Sequence, residues 1–407
     1  MHLCSDSQGP NATPHQAQTP AAGAPPKPTP PDLQLVARPA LSIAQPCKQA
    51  APADWDAALD SLTQWLDIEV KRTPMPRMSR LRQAGGWSAP FATKAQPPVF
   101  APWQCWSSVM LQQPDAADPA LPRANWVGSY LLDSGAAKPL QRNRPDVLLM
   151  SPLPGACVIA DHQDVKIPRS GVLRDMLAAA QGEARQKLVI MVDAQQRNAM
   201  VGALLLLGRT VASKEHTLDV VSVESGLCEL VRNPARWDAI IVMPNLRGLV
   251  FALLAEITGI KGPWPMLWHH RTISMITAEG LEENAGPAPL DAALLIQTLA
   301  LAAAHAGNVA PAQRLMAGAA RMWDCGIITP GRGSVAPYVT EIDDQEFIAQ
   351  LCRGVPGRRN ATWHWRAIAP MRTPASGSAS ASGPASGPGP ALGPAPRPAK
   401  LRLVSPS

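Results

Sequence analysis

From Arg144 onward the chain alternates short apolar runs with stretches whose apolar residues fall at helical spacing. Asp146–Met150 (DVLLM), Leu188–Val192 (LVIMV), Leu218–Val223 and Trp237–Met243 (WDAIIVM) predict strands. The first two are apolar without interruption, as strands buried on both faces are. Between them, Val172–Gln181 places Leu173, Met176, Leu177 and Ala180 on one side of a helix. Met200–Leu207, Gly226–Val231, Leu249–Ile257 and Leu290–His305 also predict helices. Strands alternating with helices predict an α/β fold with a mainly parallel sheet and helices on both faces. Further upstream, Trp55, Leu59, Leu62, Trp65, Leu66 and Ile68 have helical spacing. From Lys71 to Arg142 the chain is rich in Pro, Trp and Gln and has no clean period. Two readings stay open there: irregular structure draped on a domain, or a degraded strand-rich region.

Composition divides the chain. Its 44 prolines and 29 glycines exceed average usage, and the prolines in particular are enriched toward the two ends. Residues 1–52 are rich in Pro, Ala, Gln and Thr, and 373–407 in Pro, Ser, Gly and Ala; both are expected to be disordered, because they bury too little apolar surface to offset ordering entropy. The remainder divides into 53–143 without a firm assignment, an α/β domain over 144–352, and a linker over 353–372. A short basic and apolar end, KLRLVSPS, closes the tail; solvation and docking are both open to it.

The net charge of +6 is modest, and no aromatic-interleaved basic stripe accompanies it, so no nucleic-acid partner is expected. The seven cysteines are far apart and contain no CxxC, which argues against a zinc ribbon or a redox pair. Most lie in apolar segments and are expected to be reduced core residues. No basic-then-apolar leader opens the chain, and no apolar run reaches the ~20 residues of a bilayer span. The expectation is a cytoplasmic protein without a membrane partner.

Several stretches occur in an order that resembles the isocitrate/isopropylmalate dehydrogenase family of decarboxylating dehydrogenases. Glu229–Gly248 (ELVRNPARWDAIIVMPNLRG) is similar to the family's helix, strand and "N-L-x-G-D" closing turn. RPDVLLM resembles the strand entering its substrate loop, and LRDMLAAAQGEARQKLVIMVDA a helix and strand that follow. APLDAALLIQTLALAAAHAG, GIITPGRG and VTEIDDQEFIAQL resemble its closing elements. The resemblance covers about half the chain, Arg144 to Leu351. It implies a three-layer α/β/α sheet of isopropylmalate dehydrogenase type, with the first half truncated or rewritten, since the family's opening "G-D-G-I-G-P-E" has no counterpart.

Enzymes of this family oxidise a 2-hydroxy acid with NAD or NADP and release CO2, with Mg2+ or Mn2+ as Lewis acid. Such hard ions take carboxylate oxygens, and two aspartates at i and i+4 share one helix face. The resemblance places those aspartates at Leu249 and Leu253, which have no oxygen to give. A third metal carboxylate falls on Glu224, the catalytic lysine on Asp193, and a substrate-binding arginine near Ser151. Asn245 keeps the turn asparagine. The cofactor loop has its nearest counterpart in AEGLEENAG, with Glu279, Gly280 and Glu283 at the nucleotide-contacting positions.

Each of these residues also has a plainer reading. Leu249 and Leu253, with Val250, Phe251 and Leu254, suit a buried core helix. Glu224 suits a helix start and Asp193 an N-cap. Asn245 and Gly248 suit a turn, and Glu279, Glu282 and Glu283 a solvated loop. His269 and His270 are adjacent, and adjacent side chains rarely address one ion.

The expectation is a pseudoenzyme: a non-catalytic scaffold or regulatory subunit with no cofactor of its own, binding a small metabolite or a partner. The family's dimers imply a homodimer or a heteromer with an active paralogue. The alternative is a divergent oxidative decarboxylase of an isocitrate, isopropylmalate or tartrate type of substrate, using NAD or NADP and Mg2+ or Mn2+. An interaction module carried by the Pro-rich termini is a third reading.

Overall fold

The apolar runs build one parallel block of an eleven-stranded sheet. The computed structural model describes residues 39–45, 50–74, 97–112, 124–133, 144–160, 165–208, 216–260, 262–281, 287–332, 339–354, 365–369 and 402–403, all within the unit Arg38–Ser407. In chain order the strands are β1 (Ala40–Gln45), β2 (Glu69–Pro74), β3 (Val99–Trp106), β4 (Trp126–Leu132), β5 (Asp146–Pro152), β6 (Cys157–Ile159), β7 (Lys166–Pro168), β8 (Lys187–Val192) and β9 (Thr217–Ser222). They continue with β10 (Ala239–Val242), β11 (Trp264–His269), β12 (Ile273–Glu279), β13 (Ile327–Ile328), β14 (Thr340–Glu341) and β15 (Arg402–Leu403). The α-helices are α1 (Ala53–Leu66), α2 (Ser108–Gln112), α3 (Ser170–Gly182), α4 (Arg197–Leu207), α5 (Val223–Arg232), α6 (Arg247–Thr258), α7 (Ala292–His305), α8 (Val309–Asp324) and α9 (Asp344–Arg353).

Across the sheet the order is β15-β9-β8-β10-β5-β4-β11-β12-β3-β1-β2. One parallel block comprises β5, β10, β8 and β9, and a second comprises β12, β3, β1 and β2. Between them β4 and β11 run antiparallel to their neighbours, so the two blocks point in opposite directions. The expected α/β sheet is present, but it is mixed. The tight β11–β12 hairpin needs no helical crossover, and tight connections of that kind join antiparallel strands.

Residues 53–143, left open by the sequence, supply α1, β2, β3, α2 and β4. With β1 they build the far side of the sheet. β1 lies inside the Pro/Ala-rich leader expected to lack structure, with Leu41 and Ile43 buried. The other expectations of disorder fall outside the described residues, except at β15, which pairs with β9. The 353–372 linker also holds an ordered turn: Trp365 is buried against Tyr130, and the Arg366 guanidinium lies 2.7 Å from Asp238.

Local sequence explains the helix limits. Ser222 accepts the Ser225 N–H at the start of α5, and Asp291 accepts the Leu294 N–H at the start of α7. α6 ends at Gly259, whose φ of 74° is a left-handed conformation that suits glycine. α7 is apolar around its whole circumference and is buried almost throughout, packed on β3, β11 and β12 and against α1, α8 and α9. Among the described residues no cysteine is fully buried: Cys105, Cys157 and Cys352 are half-buried, and Cys228 and Cys325 are exposed; Cys4 and Cys47 lie outside the described residues. No helix among the described residues is long and apolar enough to cross a membrane.

Sheet twist decides where the loops meet. β10 and β3 are five strand steps apart. At about 20–25° per step the sheet turns by roughly 100° between them. The reversal of direction and the twist together bring the carboxyl ends of β10, β3 and β12 into one place. There α2 touches the turn Pro244–Leu246, and a Cβ on Gly248 would lie 3.0 Å from the Ser108 Cβ.

Candidate functional site

Open α/β sheets bind ligands outside the carboxyl ends of their strands, and here that edge holds most of the residues singled out from the sequence. β8 runs into a single 3-10 turn, Ala194–Gln196, held by the Asp193 N–H donating to Gln196 Oε1 at 3.2 Å. β10 runs into Pro244–Leu246, where Pro244 occupies the first position and has no N–H to leave unpaired. Asn245 Nδ2 donates to Asp193 Oδ2 at 3.2 Å and ties the two turns together. These two residues, remote in sequence, are therefore brought into contact. Glu224 lies exposed in the first turn of α5. Ser151, in β5, is 1 % exposed and its hydroxyl is committed to the Pro152 carbonyl at 3.1 Å.

The reading of Leu249 and Leu253 as buried core needs correction. Val250, Phe251 and Leu254 form the buried face of α6, whereas Leu253 is half-buried and Leu249 is 54 % exposed. The periodicity explains the split: with Val250 and Leu254 turned to the core, Leu249 lies outside the buried arc.

Glu279 is likewise not in a solvated loop. It is the last residue of β12, fully buried, and both of its carboxylate oxygens are engaged. Arg247 donates to it from Nε at 2.8 Å and from Nη2 at 2.7 Å, and the same Nη2 donates to Ser129 Oγ at 2.7 Å. Ser129 in turn donates to Glu279, Ser108 donates to it at 3.4 Å, and Arg247 Nη1 reaches the Leu149 carbonyl at 3.3 Å. Gly280 follows with its N–H on the Trp106 carbonyl at 3.0 Å. Glu282 and Glu283 lie outside the described residues. Arg247 escaped attention in the sequence, although a lone cation opening RGLVFALLAEIT was the available signal.

Near this buried junction in the sequence stand three exposed apolar side chains. Val109, Leu249 and Leu281 are exposed by 66, 54 and 49 %, and each lies within two residues of Ser108, Gly248 or Glu279.

His269 and His270 line one cavity but differ in environment. His269 stacks flat on Trp126, with ring centroids 3.7 Å apart, and its Nε2 is buried without a hydrogen-bond partner. Burial, and then the nearby His305, lower its pKa to about 3. His270 is exposed. An open cavity of about 220 Å3 lies beside them, lined also by Asp175 and Arg271.

Among the described residues no group of three or more His, Cys, Asp or Glu side chains is placed to hold a metal ion. The positions implied by the family resemblance offer two hydrocarbon side chains and one exposed glutamate, a donor set that does not fit Mg2+ or Mn2+.

No protein-family model matches the chain, and no curated protein sequence matches it. Solved structures do. The fold is similar to that of the TT0538 protein from Thermus thermophilus, with a TM-score of 0.50 and 14 % identity, covering 84 % of this chain and 73 % of that one. It also matches isocitrate dehydrogenase from Methylococcus capsulatus with a TM-score of 0.47 and 14 % identity, covering 77 % and 98 %. At this identity the likeness is one of fold alone, and it rests on the first of the two.

Proposed function

We propose that this chain is a non-catalytic relative of the isocitrate/isopropylmalate dehydrogenases that acts as a scaffold or regulatory subunit. The observation that carries the reading is α6 at the convergence of strand ends: it presents Leu249 to solvent and Leu253 beside it, where the resemblance calls for two metal-binding carboxylates. Two further features support it. Asp193 stands where a lysine would act and is bound to Asn245, and Glu279 has both oxygens committed to Arg247 and Ser129.

On this reading the apolar surface at Val109, Leu249 and Leu281 takes a partner or an apolar metabolite. A second copy or an active relative of the same fold is the partner of first choice. Assays with isocitrate, isopropylmalate and tartrate-like acids, supplied with Mn2+ and either NAD or NADP, are expected to show no turnover above background. Steady turnover abolished by a chelator would overturn the proposal.

A second reading, a divergent NAD(P)-dependent oxidative decarboxylase, draws on Glu224, the one carboxylate kept at a family metal position, with Asp193 as a second carboxylate at the carboxyl edge of the same parallel block. Calorimetric titration with NAD, NADP and Mn2+ separates the two readings, because this enzyme must bind the nucleotide.

A further inference from the structure

The sheet ends at β9 in a pairing that the rest of the fold does not require. Arg402 and Leu403 lie parallel to β9, in register with Asp219 and Val220. They belong to Lys400–Val404 (KLRLV), which alternates basic and apolar residues before closing on Leu-Val.

β9 has reason to be covered. Its inner side pairs with β8, while its outer N–H and C=O groups face away from the sheet. An uncovered edge of this kind templates pairing with other chains. Val220 and Val221 are nevertheless well buried, so the edge is an apolar strand rather than a charged guard strand.

The path of the chain favours delivery from the same molecule. Arg366 is fixed to Asp146 and Asp238, at the amino ends of β5 and β10, by its own N–H on Asp146 Oδ2 at 2.9 Å and its guanidinium on Asp238. β5 and β15 are four strand spacings apart in the sheet. At about 4.8 Å each, the gap across the sheet is roughly 19 Å. The spacer 370–401 is about 30 residues of mostly Pro, Ser, Gly and Ala. As a coil its root-mean-square span is about 30 Å, which suits that gap and gives a local concentration of order millimolar.

We propose that the outer edge of β9 is a strand-docking site, and that its resident occupant is this chain's own Lys400–Val404, delivered in cis. The tail then serves as this sheet's own edge strand, covering the outer groups of β9.

Residue-resolved hydrogen exchange over Thr217–Ser222 in the full-length protein tests this. Arg402→Pro with Leu403→Pro removes two consecutive N–H groups, so whichever faces β9 is lost. The outward amides of β9 are expected to exchange about ten-fold faster or more in that variant. Arg402→Thr with Leu403→Val keeps strand-forming residues and is expected to keep the protection. Wild-type protection is expected to be unchanged on dilution. Equal protection in the proline variant would show that nothing from the tail covers β9 and would overturn the site. Protection that falls on dilution would show a second copy supplying the strand and would overturn delivery in cis.

Discussion

Nη2 of Arg247 lies 2.7 Å from Oε2 of Glu279, and neither side chain is more than 1 % exposed. The pair joins the start of α6 to the end of β12, with Ser129 of β4 between them. Removing one partner leaves the other charged group in hydrocarbon. Glu279→Gln is therefore expected to cost about 3–5 kcal/mol. Arg247→Met combined with Glu279→Leu is expected to recover most of that loss, because no bare charge remains. Urea midpoints at unchanged m-value measure both. A double variant as unstable as the single would show that the pair contributes more than mutual neutralisation.

The two leucine positions on α6 predict opposite tolerance. Leu249→Asp is expected to change stability by no more than about 0.5 kcal/mol, as at other exposed positions. Leu254→Ala, at a fully buried site, is expected to cost about 2–5 kcal/mol. A loss of several kcal/mol at Leu249 would mean that its side chain is covered in solution, and sedimentation of the same samples would identify an assembly.

His269 predicts a loss of stability in acid. Burial first, then His305, lower its folded-state pKa to about 3, against an ordinary value of 6.5. The unfolded chain thus binds a proton that the folded one refuses. The contribution is complete above pH 6.5 and is lost as the pH falls toward 3. His269→Phe keeps a flat ring against Trp126 and removes the titration. Its unfolding midpoint is expected to fall less than that of the wild type between pH 7.5 and pH 5. Parallel curves for the two proteins would refute the assignment.

Asp344 predicts the opposite slope. Burial raises its pKa from 3.8 to about 6; the Ala292 N–H opposes this, and Asp291 and Asp343 add to it. The folded state therefore holds the proton more tightly. This contribution is fully present below pH 3.8 and is lost as the pH rises through about 6. Asp344→Asn keeps an acceptor for the Ala292 N–H, found 2.7 Å from the carboxylate. It is expected to raise stability at pH 7.5 by roughly 1 kcal/mol, after allowing for solvent screening of a partly exposed group. The difference should vanish below pH 4; a difference that persists there would have another origin.

Where burial on both faces leaves an uninterrupted apolar run, the sequence was readable. DVLLM and LVIMV are β5 and β8, and the helices that follow them, α3 and α4, lie where their periodicity puts them. The hairpin β11–β12 was missed because WPMLWH and ISMITAE mix bulky and polar residues without a strict alternation. Their pattern is set by packing on α7 and by the Arg247–Glu279 pair, neither of which is local in sequence. The contact of Asp193 with Asn245 was not legible in the sequence, where the family resemblance marked the two positions separately, since about 50 residues and a crossover separate them. The exposure of Leu249 was hidden for a related reason: hydropathy marks a leucine as apolar but does not say which way a helix is turned.

The placement of β1 between β2 and β3 has a practical consequence for anyone handling this protein. A border drawn by composition falls near residue 52 and treats everything before it as dispensable leader. A cut there would pull the next-to-last slat from its frame: β2 would lose the strand it pairs with, and the core sockets of Leu41 and Ile43 would stand empty. Trimming at residue 38 leaves every described strand intact, so a difference of fourteen residues between the two truncations separates a protein with a complete sheet from one with a missing slat.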